Sequence, residues 1–90
     1  MGKTSYFVYI LQCKDKTFYI GTTNDVQKRL EAHNSGKGAK YTKIRRPVEL
    51  LYFEDVETKS NALKRERELK KYSRTKKEQF LEEKHVKWRK

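Results

Sequence analysis

The sequence predicts an α+β domain: a three-stranded antiparallel sheet flanked by helices, in the order β-β-α-β-α-α. Three observations carry this. Residues 6–13 and 17–23 are short aromatic and β-branched runs joined by a polar turn, Lys14-Asp15-Lys16-Thr17, which is a hairpin pattern. A third run of the same kind, 48–54, stands apart from them. The stretches between and after are highly charged, open on capping residues and space their apolar positions at helical intervals.

Each element follows from its residues. Tyr6-Phe7-Val8-Tyr9-Ile10-Leu11-Gln12-Cys13 forms the first strand, and residues 17–23 are its hairpin partner. Asn24 or Asp25 caps a helix to about His33, with Val26, Leu30 and His33 on one stripe at i, i+4, i+7. Asn34-Ser35-Gly36-Lys37-Gly38 ends that helix and begins a loop that runs to Pro47. Residues 48–54 supply the third strand. Thr58 or Ser60 caps a second helix to about Tyr72, with Ala62, Leu63 and Leu69 as its inner face. Ser73 caps a third, from Arg74 to about Lys84, with Phe80 and Leu81 facing in; the last residues, including Trp88, either fray or pack back. Three strands suffice only if helices bury a face of the sheet. With no repeat and no linker, the chain reads as one domain over 1–90, its core at about 5–84.

Composition narrows the function. Ninety residues with 34% hydrophobic content bury only about 60–65% of the unfolded surface. Nearly every apolar position must then serve packing, so a polar side chain on an apolar face is informative. The net charge is +11. It is clustered: residues 28–46 hold seven Lys/Arg against one acid, residues 59–90 thirteen against five, and residues 47–58 four acids and no base. Two cationic blocks point to a polyanion, nucleic acid above all. A single cysteine, Cys13, excludes a disulfide framework within the chain; a buried free thiol fits a reducing, cytoplasmic setting. Met1-Gly2-Lys3-Thr4-Ser5 has no apolar leader stretch, and no run reaches transmembrane length, so no membrane partner is expected.

The candidate site starts from two tyrosines, Tyr9 on the first strand and Tyr19 on the second. A hairpin can aim both phenols at one spot. Gly21, lacking a Cβ, lets backbone or ligand come close there. His33 lies on the buried stripe of the first helix, with Arg29 beside it one turn earlier. Glu66 falls in the middle of the second helix's inner face, whereas Glu68 falls on the opposite side. A carboxylate on a core-facing side pairs with a cation or binds a metal; here the pairing alternatives are Arg29 and Lys70.

These residues, in this order, resemble the GIY-YIG nuclease superfamily, and most closely its small, single-domain bacterial branch of uncharacterised proteins. Phe7-Val8-Tyr9 stands for the first motif and keeps its tyrosine, while Tyr19-Ile20-Gly21 preserves the second intact. The helix from Arg29 to His33 and the helix from Ala62 to Glu66 match the next two landmarks. Gly36 to Pro47 looks like the branch's own signature. The resemblance covers about residues 5–78.

It implies a GIY-YIG endonuclease-like fold and metal-dependent hydrolysis of a DNA phosphodiester, with a role in DNA repair or recombination. Glu66 would hold one divalent cation, Mg²⁺ or Mn²⁺. Tyr9 and Tyr19 share the role of proton acceptor from the attacking water, Tyr9 favoured. Arg29 steadies the phosphate and His33 assists proton transfer. A free phenol titrates near pH ~10, and Arg29 with the cation is expected to lower that value. Mg²⁺ keeps waters and takes substrate oxygens, so one carboxylate suffices.

Larger relatives carry separate recognition domains that this chain lacks, so a protein partner that supplies substrate recognition is expected; the chain itself reads as a monomer. Phosphate contacts would come from the loop residues Lys37, Lys40, Thr42, Lys43, Arg45 and Arg46 and from Lys70. Tyr41 either stacks on an unpaired base or packs under the loop. The alternative function is a nucleic-acid-binding module, for DNA or RNA, with weak or no catalysis.

Overall fold

The first two runs form the hairpin that their pattern predicts. In a computed structural model, which describes residues 5–90, β1 is Phe7–Gln12 and β2 is Phe18–Thr23. Met1–Thr4, most of the stretch read above for a leader, lie outside the described residues. Asp15 shapes the turn by accepting from the Thr17 backbone N–H at 3.1 Å and from its hydroxyl at 2.6 Å. β3, Glu49–Asp55, pairs with the other side of β1, giving an antiparallel sheet of order β2-β1-β3. β1 is thus the central strand, and Val8, Tyr9, Ile10 and Leu11 are all buried.

Register decides which face each residue takes. Tyr9 sits opposite Gly21, and Leu11 opposite Tyr19. Side chains alternate along a strand, so Tyr9, Leu11, Tyr19 and Gly21 share one face while Val8, Ile10 and Ile20 share the other. Two apolar clusters follow. Val8, Ile10 and Ile20 pack with Ala62, Leu69 and Leu81. Tyr9, Leu11, Cys13 and Val48 pack with Tyr19, Leu30 and Leu50.

The helices begin where short polar side chains accept orphan backbone N–H groups. Asp25 caps α1 (Val26–Asn34) through the Lys28 N–H, Thr58 caps α3 (Lys59–Lys70) through Asn61, and Ser73 caps α4 (Arg74–Glu83) through Lys76. One further element interrupts the segment expected to be loop: α2, Lys40–Lys43, a single turn. The charge density there masked a turn whose inward residue is the polar Thr42. Leu63 is a second correction. It is 45% exposed, because it lies at the margin of the apolar arc that Ala62 and Leu69 centre on the sheet. The C-terminal tail packs back: Trp88 lies against the first cluster. The buried Gln12 amide bonds both backbone groups of Arg89, at 2.6 and 2.8 Å. No helix among the described residues is long and apolar enough to cross a membrane.

Candidate active site

The face of the sheet that carries both tyrosines is the face α1 covers with His33. α1 is tied down at its C-terminal end. The Asn34 amide donates to the Val48 carbonyl at 3.0 Å, and its oxygen accepts from the Val48 N–H at 2.7 Å. That double link to the start of β3 fixes His33, the preceding residue, over β1. The Tyr9 hydroxyl lies 2.8 Å from His33 Nε2, and His33 Nδ1 lies 2.7 Å from the Thr42 hydroxyl. Tyr9, His33 and Thr42 are buried, at 2%, 0% and 0% exposure, so the hydrogen bonds within this three-residue chain face little competition from bulk water.

Two glycines make the space for it. A Cβ on Gly21 would stand 2.4 Å from the Tyr9 hydroxyl oxygen, and one on Gly38 would stand 2.4 Å from His33 Nδ1 and 2.9 Å from its Cα. The second contact involves backbone and cannot be relieved by rotating a side chain. Gly21 was legible as a motif residue. Gly38 was read as part of the helix-ending run and of the Gly36 to Pro47 signature, with no role at His33 assigned to it.

Tyr19 is half-buried, its ring 6.5 Å from that of Tyr9 and 5.2 Å from the imidazole. Tyr41 stacks against Tyr19 at 6.0 Å. Arg29, half-buried on α1, acts electrostatically on both Tyr9 and His33. From α3 the Glu66 carboxylate acts on Tyr9 as well. The Glu66 side chain is 20% exposed and pairs at 3.0 Å with Lys70, one of the two partners foreseen. It borders a groove of about 390 Å³ with Leu63, Arg67, Lys70 and Lys71. Lys70 also lines a second cleft of about 250 Å³ with Tyr19, Tyr41 and Lys77, so the two openings adjoin.

Electrostatics sets the starting state of the phenol. Burial pushes the Tyr9 phenol above its ordinary value, with the Tyr19 and Glu66 charges adding to this and Arg29 opposing it. Without a cation at the site, burial outweighs Arg29, so the resting group is a protonated phenol rather than a phenolate. His33 is held down at about 4, first by burial and then by Arg29; it is neutral at pH 7.

That shift has a stability consequence. An unfolded histidine titrates near ~6.5, so between pH 6.5 and 4 the unfolded chain binds a proton that the folded chain does not. Stability therefore rises with pH in this window and is lost as pH falls through it. At pH 4.5 the expected loss is roughly 2–3 kcal/mol relative to pH 7.5. Urea unfolding of the wild type and of His33→Asn isolates it from carboxylate titration: the wild type should lose that much more than the variant. Equal losses in the two proteins contradict the burial argument.

The cationic residues divide. Lys37, Lys40, Lys43 and Arg46 are exposed. Arg45 pairs with Asp15 at 3.0 Å and covers the Tyr41 ring at 3.9 Å. Arg46 donates to the Lys43 and Asn34 carbonyls at 2.8 and 3.3 Å. Both arginines therefore shape the segment that was expected only to contact phosphate. Thr42 is a plain correction. It points inward to His33 and is inaccessible to any nucleic acid, because in a one-turn helix it occupies the buried side. Tyr41 is 38% exposed, and Tyr19 and Arg45 already lie against it.

The donor set also bears on a metal. Among the described residues no three His, Cys, Asp or Glu side chains gather as a cation site. A lone carboxylate fits a hard cation that retains most of its waters. Glu66 meets that requirement: it borders an open groove, and its direct partner is a Lys70 side chain that is 54% exposed and free to move aside.

Comparisons agree with this fold. A family model described as the GIY-YIG catalytic domain matches residues 5–79. The UPF0213 protein YazA of Bacillus subtilis is 51% identical over 84 residues, 93% of this chain and 85% of its own length. A UPF0213 protein of Staphylococcus aureus is 57% identical over 79 residues, 88% of this chain and 96% of its own. Among solved structures, the protein EF2693 from E. faecalis is similar with a TM-score of 0.63 and 46% identity, over 93% of this chain and 90% of that one. The UPF0213 protein BH0048 from Bacillus halodurans is similar with a TM-score of 0.58 and 46% identity, over 87% and 83%.

Proposed function

The chain belongs to the GIY-YIG family of catalytic domains, in its small UPF0213 branch, and on that premise we propose that it is a metal-dependent endonuclease of structured DNA. The observation that carries this reading is one convergence: a buried phenol, Tyr9, hydrogen-bonded to His33 at 2.8 Å and reached by the charges of Arg29 and Glu66.

In the proposed reaction Tyr9 takes a proton from the attacking water, with His33 as the partner behind its hydroxyl. Tyr9 holds this role rather than Tyr19, because Tyr9 is the phenol bonded to the imidazole. Arg29 offsets charge on the phosphoryl oxygens. Glu66 is the residue that would hold Mg²⁺ or Mn²⁺; bound there, the cation would stabilise the phosphate and the leaving oxygen. Lys37, Lys40, Lys43 and Lys70 neutralise backbone phosphates, which positions DNA without reading its sequence. Branched or flapped intermediates of repair and recombination are the substrate class that such readout suits. A protein partner supplies further selectivity, and the chain acts as a cytoplasmic monomer.

The test is a panel of single-stranded, flap, fork and junction DNAs and matched RNA hairpins, each with and without Mg²⁺. At least one DNA should be nicked only when the cation is present. Binding that weakens steeply with salt, with no cation-dependent cleavage of any substrate, would make the chain a binding module instead.

A further inference from the structure

We propose that Thr42 fixes the tautomer of His33, and through it the direction in which the Tyr9 proton leaves. The catalytic consequence rests on the nuclease reading above; the tautomer itself does not.

The argument counts hydrogens. The Thr42 hydroxyl has a single one, and its oxygen lies 3.0 Å from the Ala39 carbonyl and 2.7 Å from His33 Nδ1. The Ala39 carbonyl is acceptor only. If Thr42 donates to it, Thr42 can only accept from His33, so the imidazole hydrogen is on Nδ1. Nε2 then presents a lone pair, and the Tyr9 hydroxyl donates to it. Every donor in the chain is satisfied.

The reverse polarity fails at its far end. Were Thr42 to donate to Nδ1, the hydrogen would sit on Nε2 and point at the Tyr9 oxygen. The Tyr9 hydroxyl would then need another acceptor. Among the described residues His33 Nε2 is the one acceptor hydrogen-bonded to it, its other partner being the Arg29 guanidinium. Of its charged neighbours, Arg29 is a donor only, and Glu66 acts on it through charge without a hydrogen bond, its carboxylate paired with Lys70 at 3.0 Å. The hydroxyl of a residue that is 2% exposed would be left unsatisfied, which buried polar groups rarely are. The bond made by one ring nitrogen thus sets the state of the other.

The catalytic consequence is directional. As the Tyr9 oxygen takes a proton from water, its own O–H bond breaks and a His33 Nε2–H bond forms. The water's electron pair goes to phosphorus, and the phosphorus–oxygen bond to the leaving group breaks. Imidazolium then holds hydrogen on both nitrogens, donating to Thr42 and to Tyr9. With the other tautomer, Nε2 has no lone pair and this exit is closed. Thr42 touches no reacting atom, so it is a positioning residue.

Long-range proton–nitrogen NMR of the imidazole, on the full chain at pH 7 without cation or DNA, reads the tautomer directly. The wild type should show a protonated Nδ1 and an unprotonated Nε2; a predominant Nε2–H form overturns the proposal. Thr42→Val should shift the population toward Nε2–H and lower kcat by roughly 10- to 100-fold with DNA affinity unchanged, and Thr42→Ser should restore both. If the valine variant does not fold, the wild-type and serine spectra still decide. An unchanged tautomer in a folded Thr42→Val protein also overturns the proposal. A wild type that cleaves no DNA but shows the Nδ1–H form refutes the nuclease reading alone.

Discussion

Replacing Tyr9 with phenylalanine should abolish DNA cleavage, by roughly 10²- to 10⁴-fold, the range that a positioned acid–base group contributes. The substitution keeps the ring, and with it the packing on Leu11, Leu30 and Leu50 in the second cluster. What is lost is one hydroxyl. His33 Nε2 then has no partner in a buried site, a destabilisation of about 1–3 kcal/mol. A folded protein with near-normal DNA affinity and no turnover is therefore expected. Tyr19→Phe is the informative companion. Tyr19 packs against the imidazole edge-on at 5.2 Å, and its hydroxyl makes no hydrogen bond to His33 among the described residues, so its loss should cost far less in rate. Cleavage by Tyr9→Phe within tenfold of wild type, or a larger defect in Tyr19→Phe, would move the proton-accepting role to the second strand.

Much of this site could be read before any coordinates. Strand alternation placed Tyr9 and Tyr19 on adjacent strands of a hairpin, and a two-residue offset in register does not change the face. The helical interval from Val26 through Leu30 put His33 on the buried stripe, where it is found. Glu66 was distinguishable from Glu68 by the same wheel. What failed, failed for local reasons. A helical wheel gives the direction of an apolar arc but not its width, so Leu63 was placed inside when it lies at the rim. The cationic segment 37–46 was read by its charge. Charge describes the exposed side chains and is silent about the one residue in a turn that faces inward, here Thr42. The same logic did not show that Arg45 pairs with Asp15 and covers Tyr41, or that the exposed Arg46 also donates to carbonyls of its own loop. Burial of Tyr9, which opposes the effect expected of Arg29 and a cation on its phenol, was not legible either, because the depth of Tyr9 depends on β1 being the central strand, a topology set by where β3 pairs.

Glu66→Gln separates catalysis from binding most cleanly. The variant keeps the shape of the side chain and removes its charge. Stability should barely change, because the lost i,i+4 pair with Lys70 involves a half-exposed ammonium, and such pairs contribute about 0.3–0.5 kcal/mol. Cleavage should fall by on the order of 10³-fold or more, since holding a cation against a phosphate contributes several kcal/mol of charge stabilisation. Binding should move the other way. The carboxylate is a negative charge in a groove bordered by Arg67, Lys70 and Lys71, and removing it in a chain of net charge +11 also releases Lys70 to face phosphate. In cation-free buffer Glu66→Gln should therefore bind DNA more tightly than wild type, with a steeper dependence on salt. Opposite signs for affinity and turnover are hard to obtain from a general loss of structure, which lowers both. Wild-type turnover in this variant, with unaltered dependence on Mg²⁺, would place the cation elsewhere and leave Glu66 as no more than the partner of Lys70.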